Sequence, residues 1–521
     1  MMKQALMAVV LITAALSGAI AQQQADASFE DGQFAPANPI DVHVLAALQK
    51  HGIQPAKRCS DEVFVRRVYL DMIGTLPKPL EARQFLQDRS PNKRAALIEE
   101  LFTRGEFVDY WALKWCDLLR VKAEFPINLW PNAVQAYHRW ISDAVSQNKP
   151  YDEFARELLT SSGSNFRIPP VNFYRAIQGR DASAIASAVA LTFMGTRLDS
   201  WPEAKRAEMA TFFSRVAYKK TGEWKEEIVY LDPAAVEPLA VVFPDGTKAQ
   251  IAADTDPREA FADWLLAPGN PWFARSIVNR VWSWFMGRGI IHEPDDIRAD
   301  NPPVNPELLA YLESELVSAK YDLRHIYRLI LNSCTYQQSS IPQSDDDSAQ
   351  ALFACYPVRH LDAEVLIDAL CWIGGDGQGY SSPIPEPFTY IPEAHRAITL
   401  ADGSITSSFL EMFGRPARDT GLESERNSQP TDAQRLYLLN SSDVRNKVEQ
   451  SKLLLRITQL ARGNRHDLIT WIYLAIVSRH PTPAELETAD KYFEVAGTNQ
   501  KQAVDDLAWA LINSKEFLYR H

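Results

Sequence analysis

The chain has 521 residues, 46% of them hydrophobic and 23% charged, the composition of a soluble globular protein with room for two or three cores. A net charge of −12 excludes nucleic acid and anionic membrane surfaces as partners that its surface would select. Five cysteines (Cys59, Cys116, Cys334, Cys355, Cys371), odd in number and widely spaced, exclude a disulfide scaffold, and no C-x-x-C-H marks haem attachment.

Residues 1–21 have the anatomy of a secretory signal. Lys3 gives a basic start, 5–16 is an apolar run, and Ala19-Ile20-Ala21 is a small-x-small cleavage site. The expectation is an exported protein, periplasmic or extracellular. The apolar run is short for a membrane span and lacks a charged stop-transfer flank, and no Cys follows it to take a lipid. No other stretch is apolar enough to span a bilayer, so no membrane span is expected after cleavage.

After a polar stretch at 22–38, helical periodicity dominates. Over 60–73 the apolar positions Val63, Phe64, Val68, Leu70 and Met72 fall near helical spacing. Ser90-Pro91 reads as an N-cap and N1 proline opening the next helix. Helices are predicted at 106–121, 131–146, 152–160, 182–196 and 203–218. Texture then changes: 227–231 and 239–251 are β-branched or alternating, and Pro244-Asp245-Gly246-Thr247 is a turn between two short runs, so a small hairpin fits. Helices resume at 257–266, 271–286, 306–319 and 323–333. The segments 339–349 and 374–392 are loop text, and Asp345-Asp346-Asp347 reads as a solvated loop without calcium-loop spacing. Helices return from 431 to the end. The predicted fold is mainly α: two helical domains, 36–231 and 257–521, joined by a small β-hairpin region at 232–256. Cys116, Cys334 and Cys371 sit in apolar helical text and read as buried thiols, with room for one bridge among the five.

The two ends echo each other. Tyr69-Leu70 precedes Pro77, Pro79 and Glu81; Tyr473-Leu474 precedes Pro481, Pro483 and Glu485 at the same spacing, and Leu101…Glu106-Phe107 is matched by Leu511…Glu516-Phe517. Each copy predicts a helix stopped by proline, a rigid turn and a restart, with Thr482 and Glu485 forming a capping box. Leu331-Asn332-Ser333…Tyr336 against Ile512-Asn513-Ser514…Phe517 predicts a recurring helix ending. Matched spacing over several elements suggests a repeated helical unit.

These residues also carry a resemblance. Arg66-Arg67-Val68-Tyr69-Leu70-Asp71 with Gly74…Leu76-Pro77-Lys78-Pro79 resembles the first of two paired domains of unknown function found in exported planctomycete and verrucomicrobial proteins. Asn279-Arg280-Val281-Trp282, Gly287-Arg288-Gly289, Asp295-Asp296, Asn301-Pro302-Pro303, Gly414-Arg415-Pro416, Arg418-Asp419-Thr420, Glu425-Arg426 and Asn513-Ser514-Lys515-Glu516-Phe517 resemble the second. The resemblance covers nearly all of the chain after the leader. It implies the company of c-type cytochrome domains, sulfatase-like neighbours and polysaccharide degradation. Many members carry a C-x-x-C-H-x-H-P segment after a Phe-Leu-Gly helix. Here the corresponding text is Phe193-Met194-Gly195-Thr196-Arg197-Leu198-Asp199-Ser200-Trp201-Pro202, without Cys or His, so no haem or other cofactor is expected. The Tyr…Pro-x-Pro-x-Glu unit is also similar to small helical modules of bacterial extracellular and assembly proteins.

Two stretches crowd charge around Gly and Pro turns. In 279–306, Asn279, Arg280, Arg288, Asp295, Arg298 and Asn301 are candidate ligand-binding residues, and Asp296 is a candidate catalytic acid. In 414–430, Arg415, Arg418 and Arg426 are candidate binders, and Asp419, Glu423 and Glu425 candidate catalytic carboxylates. Arginine's planar fork suits sulfate or carboxylate, and Glu423 and Glu425, if extended, face one way as an acid–base pair would. The structural alternative is an ion-pair frame that pins loops to helices. The ten histidines are scattered without H-x-H or H-E-x-x-H, so no metal site is expected. Neither G-x-S-x-G nor a nucleotide-binding glycine motif occurs. Most of the thirteen tryptophans lie at core spacing, with Trp201 and Trp224 the better surface candidates. The reading is an exported accessory, binding or assembly protein of polysaccharide processing, with a glycan or another exported protein (sulfatase-like or cytochrome-type) as partner. The alternatives are a hydrolase built from the two charged stretches, and an electron-transfer partner without its own haem.

Overall fold

Helices make up 53% of the computed structural model and strands 7%, so the chain is mainly α, as its periodicity predicts. The structure describes residues 29–521 apart from 236, 345, 347, 393, 394, 428 and 496–498. The predicted leader and two members of the aspartate triplet lie outside the described residues. No helix among the described residues is long and apolar enough to cross a membrane.

Capping chemistry sets many helix starts. Asn38 caps Pro39–His51 and Asp41 completes a capping box. The same Asp41 carboxylate, fully buried, also accepts from Cys334 N (2.9 Å), Thr335 N (2.8 Å) and the Thr335 hydroxyl (2.7 Å). One side chain thus opens a helix and anchors a turn almost three hundred residues away. Pro131–Ser146 and Pro257–Leu266 begin at the prolines that mark them in the sequence. Two expectations are corrected. Ser90 is not a cap: its amide and hydroxyl both donate to Asp88, and the helix Lys93–Phe102 starts behind Asn92. The predicted helix 203–218 ends at Thr211, and Val216–Lys220 is a strand, because Glu227–Leu231 pairs with it along its whole length. Long-range pairing overrides local propensity there. Gly163–Ser164 completes that three-stranded sheet, while Leu239–Val242 and Lys248–Ile251 form the predicted hairpin.

Instead of two separate cores, one contiguous hydrophobic cluster takes in buried side chains from Ile40 to Phe517. The helix Asp61–Ile73 shows why, since every residue from Val63 to Ile73 is buried. A helix buried on all faces needs neighbours on all faces, and the second half of the chain supplies several. Arg66 donates to Ile476 O (3.0 Å) and Phe517 O (2.8 Å). Arg67 donates to Tyr336 O (2.6 Å), Gln338 O (2.8 Å) and His521 O (2.9 Å). The two arginines satisfy carbonyls near chain turns that helix geometry leaves open.

The internal echo is real at the level of hydrogen bonds. Ser333 Oγ donates to Ile330 O (2.6 Å) and accepts from Tyr336 N (3.1 Å); Ser514 Oγ donates to Leu511 O (2.7 Å) and accepts from Phe517 N (3.2 Å). Asn332 and Asn513 each return their amide to the carbonyl four residues back, at 2.9 Å. In the first Pro-x-Pro-x-Glu copy, Arg104 bridges Glu81 (3.1 Å) and Glu106 (2.9 Å). In the second, Arg479 bridges Glu485 (2.7 Å) and Glu516 (2.6 Å). The arginine comes from a different sequence position in each copy yet joins equivalent glutamates. The Thr482–Glu485 capping box is present.

Candidate functional site

The two charged stretches meet. Arg280, on the buried helix Phe273–Met286, donates to Asp295 Oδ1 at 2.6 Å, and its other terminal nitrogen lies 3.6 Å from Glu423. The second Asp295 oxygen accepts from Glu423 N at 2.6 Å, and Trp284 Nε1 donates to Glu423 at 3.1 Å. Asn279 holds the loop in reach, giving its amide to Ile291 O (2.9 Å) and accepting from Ile291 N (2.8 Å). Gly289 permits that approach, because a Cβ there would sit 2.2 Å from Ile291 O.

The second stretch folds back on itself at Gly414, whose φ of +83° and a would-be Cβ 1.8 Å from Asn427 O leave room for no side chain. That closure aims three arginines inward. Arg418 donates to Asp117 (2.8 Å) and Ala401 O (2.8 Å). Arg426 donates to Glu364 (2.7 and 3.1 Å) and to Asp117 (2.6 Å). Arg415 lies 3.5 Å from Glu364. The network continues through Asp362, which accepts from Lys114 (3.1 Å), Tyr110 (3.1 Å) and Arg520 (2.9 Å). It ends at Asp71, which takes the hydroxyls of Tyr336 and Tyr356, each at 2.9 Å, with Arg359 at 3.3 Å and Arg520 at 3.2 Å. The short antiparallel pair Arg359–His360 with Tyr519–Arg520 carries these last two arginines into place.

A cavity of about 190 Å³ lies at the join, with Lys114, Trp284, His292, Glu423, Arg426 and Arg520 among its walls. Burial pushes the Glu423 carboxyl above the usual range against the pull of Arg280. Burial acts the same way on Asp362, but Lys114, Arg520 and Arg426 outweigh it and hold that carboxyl well below. Asp117 is half-buried and is lowered by Arg426 and Arg418. His292 is pushed down by burial and by Arg288 beside it.

The remaining candidates fall elsewhere. Asp296 pairs with Arg298 at 3.3 Å, Arg298 also faces Asp300 at 3.4 Å, and Asn301 ties the loop through His292 O and Asp296 O. Asp419 pairs with Lys122 at 2.7 Å. Arg288 has no ion pair among the described residues. The expectation that Glu423 and Glu425 share a face is corrected. Glu423–Glu425 is a 3₁₀ turn, which sends positions two apart in different directions. Glu423 reaches Arg280, while Glu425 accepts from Asp419 N (3.2 Å), Thr420 N (2.7 Å) and the Thr420 hydroxyl (2.8 Å). Sequence reading missed Asp71, Lys114, Asp117, Asp362 and Glu364. The signal was there, in charged residues set within apolar helical text such as WALKWCDLL and DAEVLIDAL.

Residues 39–199 match a model described as "Protein of unknown function (DUF1549)" and residues 257–493 one described as "Protein of unknown function (DUF1553)". The chain belongs to the planctomycete-type family that pairs these two domains. No curated protein and no solved structure matches it. The segment 193–202, which holds neither Cys nor His, packs on the first charged stretch. Ile297 N donates to Gly195 O (2.9 Å), the Thr196 hydroxyl to Ile297 O (2.9 Å), and Arg197 pairs with Glu293 at 2.7 Å. No group of three or more His, Cys, Asp or Glu side chains suited to a metal occurs among the described residues. All five cysteines are unpaired, and Cys371, expected as a buried thiol, is part-exposed because it lies in the last turn of its helix on a cavity wall.

The lowered carboxylates give a pH prediction. A folded-state pKa below the unfolded one contributes stability that is present above the unfolded value, near 3.8, and is lost as pH falls through the folded value. The stability that these two carboxylates contribute is therefore expected to hold steady from neutrality to about pH 5 and to be lost only below about pH 4. Urea titrations of wild type and Asp362→Asn across that range check it; a gap between the two that already closes between about pH 6 and about pH 5 contradicts the pairing, whereas a loss common to both belongs to His138 and His521, which burial pushes down to about 4.

Proposed function

We propose that the protein is an exported accessory component of extracytoplasmic polysaccharide processing, one that binds or assembles rather than cleaves. The observation that carries this reading is the fate of the candidate carboxylates. Asp296 and Asp419 are in ion pairs, Glu425 caps its own loop, and Glu423 is held by Arg280 and Trp284. Side chains engaged with each other frame the fold instead of presenting reactive groups to a substrate. Export rests on the pattern of residues 1–21, and the link to glycans, and to sulfatase-like or cytochrome-type partner proteins, rests on the company the family keeps.

One observation favours a second reading, a hydrolase. Glu423, raised, and Asp362, lowered, face the same cavity, and environments that push two carboxyls apart are how acid and base roles separate. Three donors already take one oxygen of Asp362 and Arg426 lies 3.7 Å from the other, which weakens it as a base. The test incubates wild type and Glu423→Gln with a panel of neutral, uronate and sulfated polysaccharides, measuring binding and new reducing ends. Binding without product release is expected. Product release by wild type that Glu423→Gln abolishes would reverse the order of the two readings.

A further inference from the structure

A cavity of about 510 Å³, within the usual range of ligand sites, opens away from the two charged stretches, between the two halves of the chain. The first half contributes the turn at Lys78 and the Arg104–Glu106 pair. The second contributes the end of the helix Ala363–Gly374, the segment at Arg396, and Lys452 and Arg456 on the helix Lys452–Leu460.

Its charges are unevenly neutralised. Arg104 is matched by Glu81 and Glu106, and Asp376 by Lys447 at 3.1 Å. Asp368 accepts from Ala397 N (2.6 Å) and Ile398 N (3.2 Å), with Arg396 only at 3.7 Å. Lys78, Lys452 and Arg456 have no ion pair among the described residues, and Arg396 Nη2 is buried without a hydrogen-bond partner among them. On a chain of net charge −12, this cleft is a local concentration of free cations. Beside them Trp372, 37% exposed, stacks on no other described aromatic ring and offers a flat apolar face.

We infer that this cleft binds a saccharide segment bearing anionic substituents, with Lys78, Lys452, Arg456 and Arg396 meeting sulfate or carboxylate groups and Trp372 stacking on a sugar ring. Resting on the glycan-binding reading above, it adds the place and the charge class of the ligand. Guanidinium and ammonium groups gain most from anionic oxygens, and an aromatic face separates a sugar from a bare polyanion. Lys452, Arg456 and Trp372 are exposed, so replacing them leaves the hydrophobic cluster intact.

The experiment measures binding of the full chain to dextran sulfate, polygalacturonate, unsubstituted dextran and inorganic polyphosphate, with reducing-end release followed in parallel. Wild type is expected to bind dextran sulfate or polygalacturonate, more weakly as salt rises, and not dextran. Which of the two binds better identifies the substituent. Lys452→Gln with Arg456→Gln is expected to weaken binding about tenfold or more, and Trp372→Ala about fivefold. Equal binding of polyphosphate, untouched by Trp372→Ala, overturns the saccharide assignment. Polysaccharide binding that survives all three substitutions overturns the cleft and leaves the accessory role standing. Binding accompanied by product release leaves the cleft standing and overturns the accessory role.

Discussion

Glu364→Ala is expected to destabilise the fold by about 3–5 kcal/mol, the range for removing one partner of a buried ion pair. Glu364 is fully buried, takes two hydrogen bonds from Arg426 and has Arg415 at 3.5 Å. Removing it leaves two guanidinium groups in a water-poor interior with only Asp117 and the more distant Asp362 to balance them. Glu364→Gln keeps the acceptor but drops the charge, and is expected to fall between wild type and alanine. Loss of the midpoint in urea with an unchanged slope is the signature of altered stability alone. A second substitution, Arg426→Met, is expected to restore part of the loss, since the buried charge left behind is the main penalty. An alanine variant as stable as wild type would mean that the pairing contributes nothing.

Asp71→Ala is expected to have a comparable effect, about 3–5 kcal/mol, with a different signature. Asp71 lies in the first half, but Tyr336, Tyr356, Arg359 and Arg520, which converge on it, all belong to the second. Its loss leaves two phenol hydroxyls without their acceptor and weakens the seam as well as the total stability. The expected result is earlier cleavage by protease within 515–521, because Tyr519–Arg520 is held beside Arg359–His360 by a pair of strands only two residues long. A variant that loses stability with no change in proteolytic pattern would show that the seam has other, stronger ties, Arg66 and Arg67 among them.

Helix positions, the hairpin and the repeated unit were legible in the sequence because each depends on local spacing. Thr482 with Glu485 and Ser333 with Tyr336 lie three residues apart, and local geometry leaves few ways to join them. The strand Val216–Lys220 was not legible, since its partner lies outside any helical window. The charged stretches were visible as crowded text, but their meaning was not. Asp117 and Arg426 are 309 residues apart and make a hydrogen bond of 2.6 Å. The cleft at Trp372 was invisible as a site because its walls come from five separate segments.

The sequence by itself determined the helical class, the family and the two stretches where charge crowds around turns. Only the tertiary structure decided that the two halves share one core, that the charged stretches pair inward, and that the unneutralised cations lie in another place. The reason is physical. Propensity and capping act over a turn or two of helix, whereas whether an arginine is free or neutralised depends on which distant carboxylate the fold brings within a few ångströms.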